Sequence, residues 1–492
     1  MLGLFISVLV VWSATSRIKK WYRLRHVPGP RITGFTTLWF AWRTARKTVH
    51  EDIVTLTEKY GPVVRIAPNE VIVNDLEALL RISSVRSEYR KGEWYKVGRV
   101  SPGKDHLLCI SNPELRDKRK RQMMPGYSGR DNDGFEDGIN RAIASWVDLI
   151  DRKYLGTGPE FCPLDLATQA HYYSFDALGE LAYSNAPGYL AADKDLNDVI
   201  KISDATLPFI HVLGVYPEVF LLTHKWPLRY LLPRDGDKAG FGAIMGYIGK
   251  FIDDRLDVRA KPKRDMLQSF IDHGMTADEL RQELTLQFFV GTDTTAHAIR
   301  IILLFLLTNP TAYQRLQREL DDAAASGLIS SPIRDSEARS LPYLQAVIKE
   351  GLRIIPPVAT GLFYKVVPPG GDTINGVFLP GGTNVATGST MWSLCRQKSF
   401  WGLDAESFRP ERWLEVKDDL KLQAMTKTVE LVFGSGQFVC AGRQIAGMQL
   451  NKVIAELLRR YNFTLLDPMK PMTLIPVVGW IGHDLMVRAE KR

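Results

Sequence analysis

Phe433-Gly434-Ser435-Gly436-Gln437-Phe438-Val439-Cys440-Ala441-Gly442 lies near the carboxyl end of the chain, immediately before a helical pattern from Arg443 to Tyr461. One cysteine thus sits where a loop meets a helix N-terminus. The positive end of that helix and its free N–H groups favour a thiolate, lowering the pKa and readying the sulfur to bind a metal. The preceding glycines let the backbone turn tightly and approach a flat ligand. A lone buried cysteine is more often a small hydrophobe. What decides between the two readings is the company the loop keeps.

Working back toward the amino end, Phe408-Arg409-Pro410-Glu411-Arg412-Trp413 precedes the loop, and Glu350 and Arg353 stand three apart before Ile354-Ile355-Pro356-Pro357. At that spacing the pair shares one helix face, which alone is an ordinary salt bridge. Further back, Thr276 and Glu279 have capping-box spacing. The helix they open meets no stop before Pro310, a length of about 50 Å at roughly 1.5 Å per residue. Its middle, Phe288-Phe289-Val290-Gly291-Thr292-Asp293-Thr294-Thr295, sets a glycine and four polar groups in an apolar rod. Glycine weakens a helix by about 1 kcal/mol relative to alanine, and a buried carboxylate requires partners. A wet face, a bend and a functional site all fit this stretch.

The remaining pattern predicts a mostly α body with small β-sheets. Helices are expected over Glu51 to Tyr60, Asn140 to Lys153, Pro163 to Tyr183, Phe241 to Asp257 and Met266 to His273. Val63 to Ala67 and Glu70 to Val73 read as a hairpin about Pro68-Asn69, and strand-like pieces return near 362–367, 373–385 and 472–488. The 492 residues are 45% hydrophobic and 24% charged, with no linker or repeat after residue 30, so 27–492 is expected to form one catalytic domain. Lys and Arg exceed Asp and Glu by 63 to 55, but the excess is scattered. Its one dense internal run, Arg116 to Arg121, is too short for a nucleic-acid tail, and no nucleic-acid partner is expected. Cys109, Cys162, Cys395 and Cys440 form no CxxC pair, which argues against a disulfide framework or a zinc ribbon and for a reducing compartment.

At the amino end, Leu2 to Ala14 is mostly apolar, and Arg17, Lys19, Lys20, Arg23 and Arg25 follow it. Basic residues after the apolar run, rather than before it, make a signal anchor rather than a cleaved secretory peptide. Residues 1–26 are therefore expected to be a membrane anchor and its basic flank, the anchor's roughly 15 helical residues reaching only about 22 Å against about 30 Å of hydrocarbon. The body would then face the cytoplasm. Val27-Pro28-Gly29-Pro30 separates the two parts with a stiff, non-helical break.

Phe433, Gly434, Gly436, Cys440 and Gly442 resemble the cysteine signature of the cytochrome P-450 superfamily, and the other motifs follow in that family's order and spacing from Pro28 to the end. The resemblance implies the P-450 fold and heme b (iron protoporphyrin IX) ligated by Cys440, with Phe433, Gly434, Gly442 and Gly291 as further cofactor contacts. It implies a buried structural network of Glu350, Arg353 and Arg412. It also implies that Asp293 and Thr294 relay protons to dioxygen, that the helix bends near them, and that the thiolate favours O–O cleavage. Phe438 departs from the pattern, since most relatives carry a cation there for a heme propionate. Arg116, Lys120 and Lys365 occupy other positions of that kind and are the expected propionate partners, lysine being the weaker. Val290 replaces the usual Ala or Gly.

Glu406 to Glu415, with Arg460-Tyr461-Asn462-Phe463 and Pro468, looks like the pisatin-demethylase-like monooxygenases of filamentous fungi. That likeness implies oxidation of a lipophilic terpenoid, polyketide or alkaloid with O2, as a tailoring step in secondary-metabolite biosynthesis or in phytoalexin detoxification. The pocket is expected from residues 94–110, 205–220, Gln287 to Val290, Val358 to Phe363 and Leu474 to Ile481, which are strongly apolar. No GxGxxG fingerprint is present, so electrons must come from an NADPH-cytochrome reductase sharing the endoplasmic reticulum membrane. Rivals are an enzyme of the same fold that rearranges, desaturates or couples its substrate, and a heme sensor without turnover.

Overall fold

Thr276 makes the capping box its spacing predicts. Its hydroxyl accepts from the Glu279 N–H at 3.3 Å and the Glu279 carboxylate accepts from the Thr276 N–H at 2.9 Å. The helix so opened organises the fold of the computed structural model, which describes residues 15, 18–155, 161–358 and 360–492. The expected anchor stretch Leu2 to Ala14 lies outside the described residues. The longer helices are α1 (Leu38–Ala45), α2 (Val49–Tyr60), α3 (Pro113–Tyr127), α4 (Phe135–Leu149), α5 (Leu166–Tyr183), α6 (Val199–Leu213), α7 (Gly240–Leu256), α8 (Ala277–Leu307), α9 (Pro310–Ala325), α10 (Pro342–Ile354) and α11 (Arg443–Arg460).

α8 is the central rod. It packs on α5, α7, α10 and α11, and from Thr295 to Leu304 every residue is buried. Its partner α5 is buried on nearly all sides, as befits a helix without a polar stripe. α8 is also long and apolar enough to cross a bilayer, yet most of its apolar window is covered by protein. It is a core helix.

The sheets are small. β1 (Val63–Ala67), β2 (Glu70–Val73), β3 (Arg90–Lys91), β4 (Lys365–Val366) and β5 (Asn384–Ala386) form one sheet in the order β1-β2-β5-β4-β3. The expected β1–β2 hairpin is present, its register slipping between Arg65 and Ala67. β6 (Thr473–Pro476) and β7 (Trp480–His483) pair as a second hairpin. The predicted elements hold with shifted ends. The helix expected from Pro163 begins only at Leu166, because Leu164–Asp165 pairs as a strand and the Asp165 carboxylate caps the Ala167 N–H at 3.0 Å. The helix expected from Asn140 starts at Phe135 and ends in a wide turn over Ile150–Tyr154.

Glu350 and Arg353, one turn apart on α10, are fully buried. The Glu350 carboxylate accepts from Arg353 Nη2 at 2.8 Å, Arg412 Nε at 3.0 Å, Trp413 Nε1 at 2.9 Å and the Arg409 N–H at 2.9 Å. Arg353 also donates to the carbonyls of Cys395, Ala405 and Ser407. Glu350→Ala would leave the Arg353 guanidinium buried without its counter-charge and take one of the two carboxylates from Arg412, which keeps Asp404 at 3.2 Å. It should cost about 3–5 kcal/mol, read as a lowered midpoint of urea unfolding.

Candidate active site

The cysteine loop is held by its own backbone. Cys440 donates its N–H to the Phe433 carbonyl at 2.7 Å, across a turn whose glycine, Gly434, has φ +67°. A Cβ on Gly434 would stand 2.5 Å from the Phe438 carbonyl, and one on Gly436, with φ +52°, 2.1 Å from the Ser83 carbonyl. Both glycines are required by the path of the loop. Gly442, at the N-cap of α11, has an ordinary φ of −85°. A Cβ there would lie 4.0 Å from the Cys440 sulfur, so glycine at this position keeps the sulfur's surroundings open. Phe433 closes the short turn before the loop and is half-buried.

Cys440 is free and solvent-accessible. The N–H groups of Gly442 and Arg443 draw its pKa down, as a helix terminus should, but desolvation outweighs them and the thiol is held above its ordinary range. Burial thus opposes the lowering expected from the helix terminus. A bound cation reverses that balance, because a coordinating thiol is deprotonated outright.

α11 packs directly on α8. α8 stays helical through Gly291, and around it the hydroxyls of Thr292, Thr294 and Thr295 donate to the carbonyls four residues back at 2.8, 2.9 and 2.9 Å, the kind of back-bonding that bends a helix. A Cβ at Gly291 would point to Leu178 of α5 at 3.6 Å, an ordinary contact. Val290 is exposed in mid-helix. Asp293 places its carboxylate 2.7 Å from His171 Nε2, a partner that the sequence did not suggest.

The expected basic groups gather next to the loop. Arg116 donates to the Gln437 side chain, and Lys120 Nζ donates to the Gln437 carbonyl at 2.6 Å. Arg119, one turn from Arg116, is turned inward instead and pairs with Glu279 and Glu283 at 2.5 and 2.6 Å. Lys365 Nζ is buried, donates to the Tyr95 hydroxyl, and lies 3.9 Å over the Phe438 ring. The cation that position 438 itself lacks is thus brought to its ring from β4.

One further residue, Lys91, was not foreseen. β3 and β4 pair so that Lys91 stands directly opposite Lys365, an arrangement of like charges that destabilises a sheet. Lys91, Lys120 and Lys365 make no ion pair among the described residues. Burial pushes Lys91 down to about 8, and burial with Lys91 nearby holds Lys365 well below the usual lysine range. Nothing in Arg90-Lys91-Gly92 marks the lysine in sequence, because the two-residue strand that places it is too short to show a pattern. A cluster of underneutralised cations beside an accessible thiol fits a flat metal chelate with two carboxylates.

Apolar groups surround this region unevenly. Trp94, Tyr95 and Phe363 form one aromatic cluster, with Trp94 and Phe363 centroids 4.6 Å apart. Phe363 has φ +43°, a strained value for a bulky residue. Its ring fills the space that side chains at Gly361 and Gly388 would take, 2.2 and 2.3 Å from their ideal Cβ positions. Gln287 and Phe288, expected to line the pocket, instead turn into the core, Gln287 toward Met266 and Phe288 against Phe175. Helical phase explains this: Phe289 and Val290 occupy the other side of α8. A cavity of about 580 Å³ lies nearer the start of α8, between Lys104, Arg229, Tyr230 and Arg281.

The family model for Cytochrome P450 matches residues 27–480. The chain is 37% identical over 99% of its length to "Cytochrome P450 monooxygenase ABA1" of Pyricularia oryzae, covering 96% of that protein. It is 38% identical over 97% of its length to "Cytochrome P450 monooxygenase abl1" of Leptosphaeria maculans, covering 84% of that protein. It is 31% identical over 89% of its length to "Pisatin demethylase" of Fusarium vanettenii, covering 85% of that protein. With the cysteine loop, the acid–alcohol pair and the buried Glu-Arg network in one fold, the chain belongs to the cytochrome P450 family and is a monooxygenase that uses heme b and O2.

Proposed function

We propose that this cytochrome P450 oxidises a lipophilic natural product as a tailoring step of fungal secondary metabolism, with electrons from an NADPH-cytochrome reductase in the same membrane. The observation that carries the site assignment is the accessible Cys440 thiol in a loop met by the buried Lys365 and the half-buried Lys120, neither of which has an anionic partner among the described residues. Cys440 would supply the thiolate ligand, Phe433, Gly434 and Gly442 would shape its loop, and Arg116, Lys120, Lys365 and Lys91 would hold the propionates. Bound there, heme supplies dioxygen activation and transfer of one oxygen atom to a C–H bond.

Thr294 keeps its own proton on the Val290 carbonyl, so its oxygen can still accept a hydrogen bond. Asp293 exchanges protons beside it. The exposed Val290 and the Trp94–Phe363 cluster give an apolar wall suited to a ring-rich substrate. "Pisatin demethylase" among the relatives is consistent with a compound of that kind.

Membrane attachment rests on two features. The apolar run of residues 2–14 is followed by basic residues. In the folded body, Leu38 and Trp42 on α1 are 67% and 51% exposed, and Trp226 and Leu231 are 73% and 82% exposed. α1 packs on α6, from which the chain runs on to residues 217–231. Arg43 and Arg46 flank Trp42, and apolar side chains ringed by cations suit a lipid headgroup boundary.

Cys440→Ser should remove the red-shifted Soret band of the reduced carbon monoxide complex, and persistence of that band would overturn the ligand assignment. Thr294→Ala should instead leave the band in place and uncouple turnover, so that NADPH consumption exceeds product and peroxide appears. A third expectation follows from charge. Lys91 sits at about 8, below the roughly 10.4 of a free lysine, and a propionate beside it raises that value. Heme binding therefore takes up a proton between the two values, and affinity falls as pH rises above about 8. Heme-release rates measured across that range should show the rise in wild type and a flatter profile in Lys91→Met.

A further inference from the structure

Behind Asp293, on the side of α5, the fold encloses a small polar chamber. It holds about 10 Å³ and is lined by His171 from α5, Asp204 and Leu207 from α6, Asp293 and Arg300 from α8, and residues 480–482 of β7. That is room for one water molecule, which requires two to four polar partners, and the lining offers them. His171 is 5% exposed and stacks on Phe175. Its Nε2 is 2.7 Å from Asp293 Oδ1 but finds no aligned hydrogen-bond partner. The contact is close but not aligned, which leaves the ring nitrogen free to bond elsewhere. Asp204, on the opposite wall, lies 3.3 Å from His483 Nε2, and that imidazole is 36% exposed. Arg300 donates to the Ala167 carbonyl at 2.7 Å and balances Asp204, Asp293 and the nearby Asp165.

We propose that this chamber binds one water and forms the outer half of the proton route, running from solvent at His483 through Asp204, the water and the His171–Asp293 pair to Thr294. The proposal rests on the proton-relay reading of Asp293 and Thr294 given above. Monooxygenation consumes O2, two electrons and two protons for each oxygen atom inserted, and the second oxygen leaves as water. The reductase supplies the electrons. Each proton that Asp293 passes inward is replaced through His171 Nε2, which takes up another from the water, as the water does from Asp204 and, beyond it, His483. No charge accumulates in the chamber, because every group returns to its starting state. His171 and Asp204 act through Asp293 and are positioning residues.

The test uses the full-length holoenzyme with its reductase and compares His171→Gln, Asp204→Asn, Asp204→Glu and Thr294→Ala. Asp204→Asn and His171→Gln should raise peroxide formed per NADPH by about tenfold, less than the roughly hundredfold or more a lost general acid costs, since Asp293 is 37% exposed and some protons bypass the chamber. Asp204→Glu should restore coupling. The solvent deuterium effect on product formation should increase in the uncoupled variants, while the substrate-induced spectral shift keeps its dissociation constant. A crystal structure of the ferric enzyme should show an ordered water within hydrogen-bond reach of His171 and Asp204. Should His171→Gln fail to fold, Asp204→Asn at the chamber's outer wall carries the comparison. Wild-type coupling in Asp204→Asn while Thr294→Ala uncouples would overturn the chamber and leave the inner relay intact. Wild-type coupling in Thr294→Ala would overturn both.

Discussion

The buried Glu350 carboxylate is the constraint on which the cysteine side of this protein depends. Two oxygens inside a low-dielectric core must be fully satisfied by donors, and here those donors come from three places: Arg353 on its own helix, the Arg409 backbone, and the Arg412 and Trp413 side chains. Meeting that demand draws the irregular stretch from Cys395 to Trp413 against α10, since Arg353 and Arg412 spend their remaining N–H groups on its carbonyls. An otherwise shapeless segment thereby becomes a rigid wall. The loop carrying Cys440 follows it in sequence and inherits a fixed starting point.

A second constraint works in the opposite direction. Lys91 facing Lys365 across a two-strand ladder, with Lys120 and Arg116 on Gln437, concentrates positive charge where the chain supplies little to neutralise it. Such a site is costly in the free protein and is relieved by a dianionic ligand. The Glu350 network spends charge to fix geometry; the lysine cluster withholds countercharge to select what binds.

Much of this was legible in the sequence, and what was legible has a common property. The capping box at Thr276, the turn glycines of the cysteine loop and the Glu350–Arg353 spacing are local, because their chemistry is complete within a few residues. The misjudged features are relational. Gln287 and Phe288 were expected in the pocket, but the phase of α8 relative to α5 sends them into the core. Lys91 stayed hidden because pairing across more than 270 residues, not its neighbours in sequence, gives it a role. Cys440 was read correctly as a helix-terminus thiol, yet the desolvation that holds its pKa up comes from the folded surroundings.

His171 extends the same lesson to chemistry. On α5 it is one polar residue in a helix buried on nearly every side, and a satisfied core histidine is the ordinary reading of such a position. Packing of α5 on α8 brings it to the Asp293 carboxylate of the central helix, next to Thr294. The hairpin of β6 and β7 and helix α6 then close the space with His483 and Asp204. Of the four elements, distant in sequence, only α8 carries a motif; His171, Asp204 and His483 come from stretches that carry none. A hydrophobic lining would have served packing better at that junction, because each buried polar group costs stability unless it is satisfied. Placing several of them behind Asp293, with room for a water between them, is a cost that proton supply to the helix explains and packing does not.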